Sequence, residues 1–512
     1  MKYSIVISLA FFAVNVFGQA PTITRVLNAG VGDTSFAPLS VVYIYGVFPV
    51  GQAKDFSITV GGLAGYVNVA NSAGYITAVF PAGAALGQQP LVVSYQGASS
   101  APFPVTLKAY APEFQTITVV PVTGTGPQFP LASYFPFAHA DLTPVNLAAP
   151  AVPGERLVSL LSGVGPTNPP IKLGGINSFQ SLAVQPAVTV GGLTAQISRA
   201  GSSGTSVEVD FTVPAAAPTG FAPVVLAIAG YQSNAVTIPV GKQPFITAVL
   251  NGANFRTPGT VAPGMIISIF GAGLGASDNL SAFPATNVNG SSVLFGSTPA
   301  PIFALAAAEG QINALVPYES PGSGTVDLTV VSPLGTSSVS TVNLAPAVPG
   351  MFFYTDPSVS TRRNAVALLA NTAWIAMPTS MAAAMGIRNN CAVISQLSTC
   401  GQPAHRGDSL QIFLTGLGKA TPNGDPAGAT LTTGDVAPAS GSPLYETIAT
   451  PIVTIGGVPV PVQFSGIAPG FAGLYQVNVQ VPAGIPASDD VPITIGMPGS
   501  TVDSATIAVS AQ

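Results

Sequence analysis

Charge is scarce in this chain. Its 512 residues include 14 Lys and Arg, 19 Asp and Glu and two His, so charged side chains make up 6% and the formal net charge is −5. An average soluble domain carries roughly a quarter. No run of Lys or Arg is dense enough to displace counterions from a phosphate backbone, which excludes nucleic-acid binding. Past the N-terminus, every apolar stretch of 18 residues is broken by Gly, Pro or polar residues, so no membrane-spanning helix is expected. Only two histidines, His139 and His405, are present and no G-x-S-x-G occurs. Nucleophilic hydrolysis therefore lacks its base and its tight nucleophile turn.

What is present points to export. Residues 1–20 read MKYSIVISLAFFAVNVFGQA, with Lys2 ahead of an apolar run from Ile5 to Val14 and small residues at Val16 and Gly18. This is the pattern of a secretory signal peptide over residues 1–18, with a mature chain from Gln19. No cysteine lies near the cut, so a lipid anchor is not expected. The two cysteines, Cys391 and Cys400, stand nine apart in a polar loop. For an exported protein a local disulfide is the favoured reading over a two-thiolate metal site, which would have only His405 nearby.

Gly and Pro number 56 and 49, yet Val, Ile, Leu and Phe recur in short alternating runs that a disordered chain would lack. Three patterns return four times in one order. An apolar strand ends in Gly at 41–46, 157–163, 266–271 and 410–416. A strand runs into a glycine turn at 58–62, 188–192, 293–297 and 453–457. An alternating strand closes on proline at 75–81, 207–214, 311–317 and 475–482. Period-two alternation with Gly-Gly at the reversal is a hairpin signature, and proline after a strand stops the ladder. The expected fold is all-β: four tandem immunoglobulin-like β-sandwich modules.

The copies also pair. PTITRVLNAG (21–30) matches PFITAVLNGA (244–253), whereas GERLVSLLSGVG (154–165) matches GDSLQIFLTGLG (407–418). Modules one and three are sisters, as are two and four, which makes the chain a duplicated pair with boundaries near 108, 242 and 346. The expected modules are 19–108, 109–242, 243–346 and 347–512, the last with an inserted loop at 371–406.

The run VLNGANFRTPGTVAPGMIISIFGAGLG (249–275) resembles the opening of IPT/TIG immunoglobulin-like domains. More specifically, residues 244–512 resemble the uncharacterised Solibacter-type C-terminal domain family of secreted bacterial proteins, on APGMIISIFGAGLG, QINALVPYESPGSGTVDLTV, GDSLQIFLTGLG and IAPGFAGLYQVNVQVPAGIPASDDVPITIG. The resemblance implies export and a β-sandwich fold, and brings no activity or catalytic residue with it.

Candidate chemistry is sparse. Glu208 and Asp210 share a strand face at i and i+2 and invite comparison with a glycosidase pair. Sister modules hold Gln311 and Asn313, and Gln476 and Asn478, at the same places, so a solvent-facing polar stripe is the preferred reading. His405, Asp408 and Ser409 are close in sequence, but Asp408 matches Glu155 of module two, a turn acid before a strand. Asn423, Asp425 and Asp435 in the 418–435 loop lack the spacing of a known calcium loop. The richest aromatic cluster, 127–139, holds Phe129, Tyr134, Phe135 and Phe137. With Trp374, the single tryptophan, these are the ligand-binding candidates, packing under the loop being the alternative. Tyr43 and Tyr45 alternate on a strand read as core and are expected to be structural. No catalytic residue, metal or cofactor is assigned. The function expected is that of a non-enzymatic secreted or cell-surface adhesion protein, a rod of modules presenting loops to a polysaccharide or an extracellular protein. The alternatives are a secreted carbohydrate-active enzyme with a site between modules, or a structural spacer.

Overall fold

Alternation decides the strands. Val42 and Ile44 are fully buried on Val41–Val47 while Tyr43 and Tyr45 turn to the other side, and each such aliphatic contributes about 1.5–3 kcal/mol by leaving water. A computed structural model describes residues 20–511 except 30–32, 72–73, 115–116, 119–132, 135, 175–176 and 205–206. The signal segment lies outside the described residues. Among those described, nearly all regular structure is antiparallel strand, and no helix is long and apolar enough to cross a membrane.

Module one packs a four-stranded sheet, in the order Thr22–Asn28, Val41–Val47, Tyr75–Val79, Tyr66–Asn71, against a five-stranded sheet built around Gly87–Tyr95. Module three repeats the four-stranded sheet with Phe245–Asn251, Ile266–Ala272, Gln311–Leu315 and Ile302–Ala306. Even the β-bulge returns in all four copies, between Val67 and Val69, Ile197 and Arg199, Ile302 and Ala304, and Val462 and Phe464. Each module also closes with a parallel bridge to its last strand, at Phe36 and Leu107, Ala151 and Val240, Val261 and Leu344, and Ala404 and Val509. The Gly61-Gly62 hairpin has positive φ at both positions, 59° and 81°. That is the I′ turn, whose twist suits the flanking strands and which glycine enters at little cost.

In module four the insertion is ordered. Trp374–Ala376 and Cys400–Gln402 pair in parallel at the edge of the nine-stranded sheet, and the helix Thr379–Ala384 buries Met381 and Ala382 beside them. The disulfide Cys391–Cys400 is formed, with Cα atoms 5.7 Å apart.

Modules join in pairs through one repeated contact. The Val41 N–H donates to the Ser162 hydroxyl at 2.7 Å, and the Ile266 N–H to the Thr415 hydroxyl at 2.9 Å. The next residue is glycine each time. At Gly163 and Gly416 a Cβ would stand 2.0 and 2.1 Å from the carbonyl oxygens of Ala111 and Val348, so no side chain fits. Modules two and three meet differently, through Gly273 N–H to the Leu147 carbonyl at 2.7 Å and Phe221 edge-on to Phe245.

Ser162→Ala and Thr415→Ala each strand a backbone N–H away from water. Each is expected to cost about 1–3 kcal/mol, read as a lower urea midpoint, whereas Thr415→Ser should retain most of the stability.

Candidate functional site

The outward side of the four-stranded sheet in module one is aromatic. Tyr45 pairs across to Tyr75 and Tyr43 to Thr77, while Arg25 and Leu27 flank Tyr45 and Tyr43 on the first strand. On the far strand Asn71 lies opposite Tyr75 and Val69 opposite Thr77. The Tyr43 and Tyr75 ring centres are 5.5 Å apart and nearly perpendicular, and Tyr45 stands 5.7 Å from Tyr75. The Arg25 guanidinium sits 4.6 Å over the Tyr45 ring, a cation–π contact. All three tyrosines are half-buried, and Tyr43 packs against the buried Ala29, Leu39, Val41 and Val79. Burial, followed by the neighbouring Tyr75 and Tyr45, raises the Tyr43 pKa above its ordinary value. Among these side chains Arg25 carries the one charge, and no carboxylate is present.

Tyr43 and Tyr45, expected to be structural on a core strand, lie on its outward side, where Tyr43 packs against those four buried residues. Their neighbours Val42 and Ile44 take the inward positions, and a strand has only two sides.

Register identifies the same four places in the other modules, and there the chemistry differs. Module three has Phe270 and Gln311, then Ser268 and Asn313. Its Gln311 amide donates to the Asn313 carbonyl at 2.7 Å and the Ser268 hydroxyl donates to it at 2.8 Å. Module four has Phe413 and Gln476, then Gln411 and Asn478, with Gln476 donating to Asn478 at 2.8 Å. Module two has Leu160 and Glu208, then Val158 and Asp210. Only the first module places three tyrosines on this face.

The acid pair of module two is not a solvent-facing stripe throughout. Asp210 is 1% exposed and neither of its oxygens accepts a hydrogen bond. Arg156 stands 3.5 Å from it, and Arg199, stacked 3.6 Å over Phe179, pairs with Glu208 at 3.2 Å. Burial, then the Glu208 carboxylate, pushes the Asp210 pKa up against the opposing pull of Arg156 and Arg199.

The aromatic candidates part ways. Phe129 and Phe135 lie outside the described residues. The Tyr134 backbone pairs with Ile117 in a two-stranded ribbon. Phe137 is a core residue, 2% exposed and wedged between Phe114 at 4.9 Å and Phe211 at 5.7 Å; its strand pairs with Arg156–Ser162, which turns the ring inward and removes it from any exposed platform. Trp374 is half-buried against the module-four core, with its indole N–H buried and unpartnered. Asp408 accepts the His405 backbone N–H at 2.7 Å as a turn residue, and Asp425 accepts from Ala427. Among the described residues, no three His, Cys, Asp or Glu side chains group to hold a metal.

No family model and no curated protein matches the chain. Among solved structures it is similar to SGBP-B of the Bacteroides ovatus mixed-linkage glucan utilization locus, in complex with a mixed-linkage heptasaccharide. The identity is 13%, over 94% of this chain and all of that one, at a TM-score of 0.20. It is also similar to the surface glycan-binding protein PbSGBP-B from Prevotella bryantii, at 12% identity over 55% and 58% with a TM-score of 0.17, and to the I9–I11 tandem of titin, at 9% over 71% and 95% with a TM-score of 0.17. At such TM-scores nothing about a ligand passes to this chain, and the fold assignment rests on its own sheets.

The folded state holds the Asp210 proton more tightly than the unfolded chain does. Stability is therefore lost as pH rises from 3.8 through the raised value. Asp210→Asn is expected to raise the melting midpoint at pH 7, with the difference from wild type fading toward pH 3.8; paired melts across that range measure it.

Proposed function

We propose that this is an exported, non-enzymatic binding protein that holds a polysaccharide on the tyrosine face of its first module. The carrying observation is that Tyr43, Tyr45 and Tyr75 stand together, half-buried, at sheet positions where the other modules have amides, aliphatics, carboxylates, a serine or a single phenylalanine. Aromatic rings offer a pyranose its apolar face, while the phenols, Thr77 and Arg25 offer hydrogen bonds at the margin. Export is supported by the N-terminal apolar segment, by the Cys391–Cys400 disulfide and by the resemblance of residues 244–512 to a family of secreted proteins.

The surroundings of the Glu208–Asp210 pair favour binding over hydrolysis. A glycosidase sets its two carboxyl groups across a substrate cleft. Here Asp210 is buried beside Arg156, and Glu208 is paired with Arg199.

The chain from Gln19 onward should be retained by insoluble polysaccharides or cell-wall material without releasing reducing sugar. Tyr45→Ala with Tyr75→Ala should weaken retention by about tenfold or more at an unchanged fold by circular dichroism. Equal retention by the double variant would refute the assignment to this face; sugar release by the wild type would refute the non-enzymatic reading.

A further inference from the structure

The outward face of the first sheet has a covered end and an open one. At the covered end Val41, Val79 and Tyr66 share a row, and module two lies over it. Leu173 packs with Tyr43 against Val41 and Val79, and a Cβ on Gly174 would stand 2.3 Å from the Tyr66 ring. Two rows further along, at the open end, Arg25, Tyr45 and Tyr75 lie side by side. Of these three Arg25 is the fully exposed one.

The surroundings of Arg25 set it apart from other arginines of the chain. Arg156, Arg199, Arg256 and Arg362 each face a carboxylate. Arg25 lies 4.6 Å over the Tyr45 ring instead, and among the described residues no carboxylate pairs with it. Module one contains two carboxylates, Asp33 and Asp55, and both are taken up in turns, where they accept the Ser35 and Gln52 N–H groups. A guanidinium stacked on a ring keeps its N–H groups in one plane at its edges, the arrangement in which a carboxylate accepts two of them at once.

The sister module shows that the strand does not need this residue. The opening strands of modules one and three, TITRVLN and FITAVLN, differ at two places. One is Arg25, whose counterpart Ala248 pairs with Phe270 as Arg25 pairs with Tyr45. Cation and tyrosines thus occur together in module one and are missing together in module three. A polyanion gains no general attraction from a chain of net charge −5, so it has to be held by a local cation with no acid beside it. We propose that the polysaccharide held on this face is one that carries carboxylates, with a uronate paired to the Arg25 guanidinium and the adjoining sugar ring against Tyr75. This rests on the glycan-binding reading of the tyrosine face and names the class of glycan.

The test uses polygalacturonate and its fully methyl-esterified form, immobilised on the same beads, which differ in the free carboxylate alone. The chain from Gln19 onward should be retained by the acid about fivefold or more better than by the ester at low salt. The preference should close as salt rises past about 0.5 M. Arg25→Ala, which installs the residue that module three carries at this register, should bring the acid-to-ester ratio to about one at an unchanged fold by circular dichroism. Arg25→Lys, which keeps the charge and loses the planar fork, should retain part of the preference. Equal retention of the two forms by the wild type, retention of neither, or a preference that survives Arg25→Ala overturns the proposal. Those results concern the carboxylate alone. The face itself fails on a different result, when the Tyr45→Ala, Tyr75→Ala variant is retained as well as the wild type on the polysaccharides that hold it.

Discussion

A backbone N–H at the first residue of a strand has to find an acceptor, and in this chain the acceptor belongs to the next module. Val41 and Ile266 each reach a fully buried hydroxyl, Ser162 or Thr415, and a buried amide without a partner would cost as much as a lost hydrogen bond or more. Because the hydroxyl precedes a glycine whose Cα lies against another carbonyl, the contact fixes position as well as energy. It sets how the sheet of the first module meets the second, where Tyr43 and Leu173 pack against one buried cluster of Ala29, Leu39, Val41 and Val79.

Much of the fold was legible in residue order. Alternation, Gly-Gly reversals and closing prolines recur at near-constant spacing, and the pairing of copies follows from their openings; the local disulfide follows from compartment and separation. The candidate site was harder, for a definite reason. Reading alternation finds the inward side, so Tyr43 and Tyr45 were absorbed into a core strand although their spacing equally describes the outward side. Tyr75, at the head of the third pattern, was the available signal, since register brings it opposite Tyr45. Phe137 failed in the other direction: proximity to other aromatics in sequence says nothing about which way a strand turns its ring.

The low charge of the chain has a structural counterpart. Where other proteins would dress a sheet face with ion pairs, modules three and four use side-chain amides that bond along the strand, as Gln311 does with Asn313 and Gln476 with Asn478. These rows keep their geometry at any pH at which the backbone survives, and salt does not screen them. Module two alone builds the row from carboxylates, and it needs Arg156 and Arg199 to do so. Of the four rows, this is the one that carries carboxylates, and burial raises the pKa of its Asp210.

Leu39 carries a last consequence, about order of change. A leucine in the left-handed region costs about 1 kcal/mol, and it is tolerated here because its side chain occupies room that Tyr318 and Tyr475 claim around Gly264 in the other pair. A tyrosine introduced at 82 would meet Leu39, and a glycine introduced at 39 would leave a void. Changes at 39, 82 and 207 are expected to be non-additive, since Tyr318 and Tyr475 share the space around Gly264 in the other pair. The two pairs thus carry one repeat with differently filled seams, the second plugged by its own tyrosines and the first by Leu39.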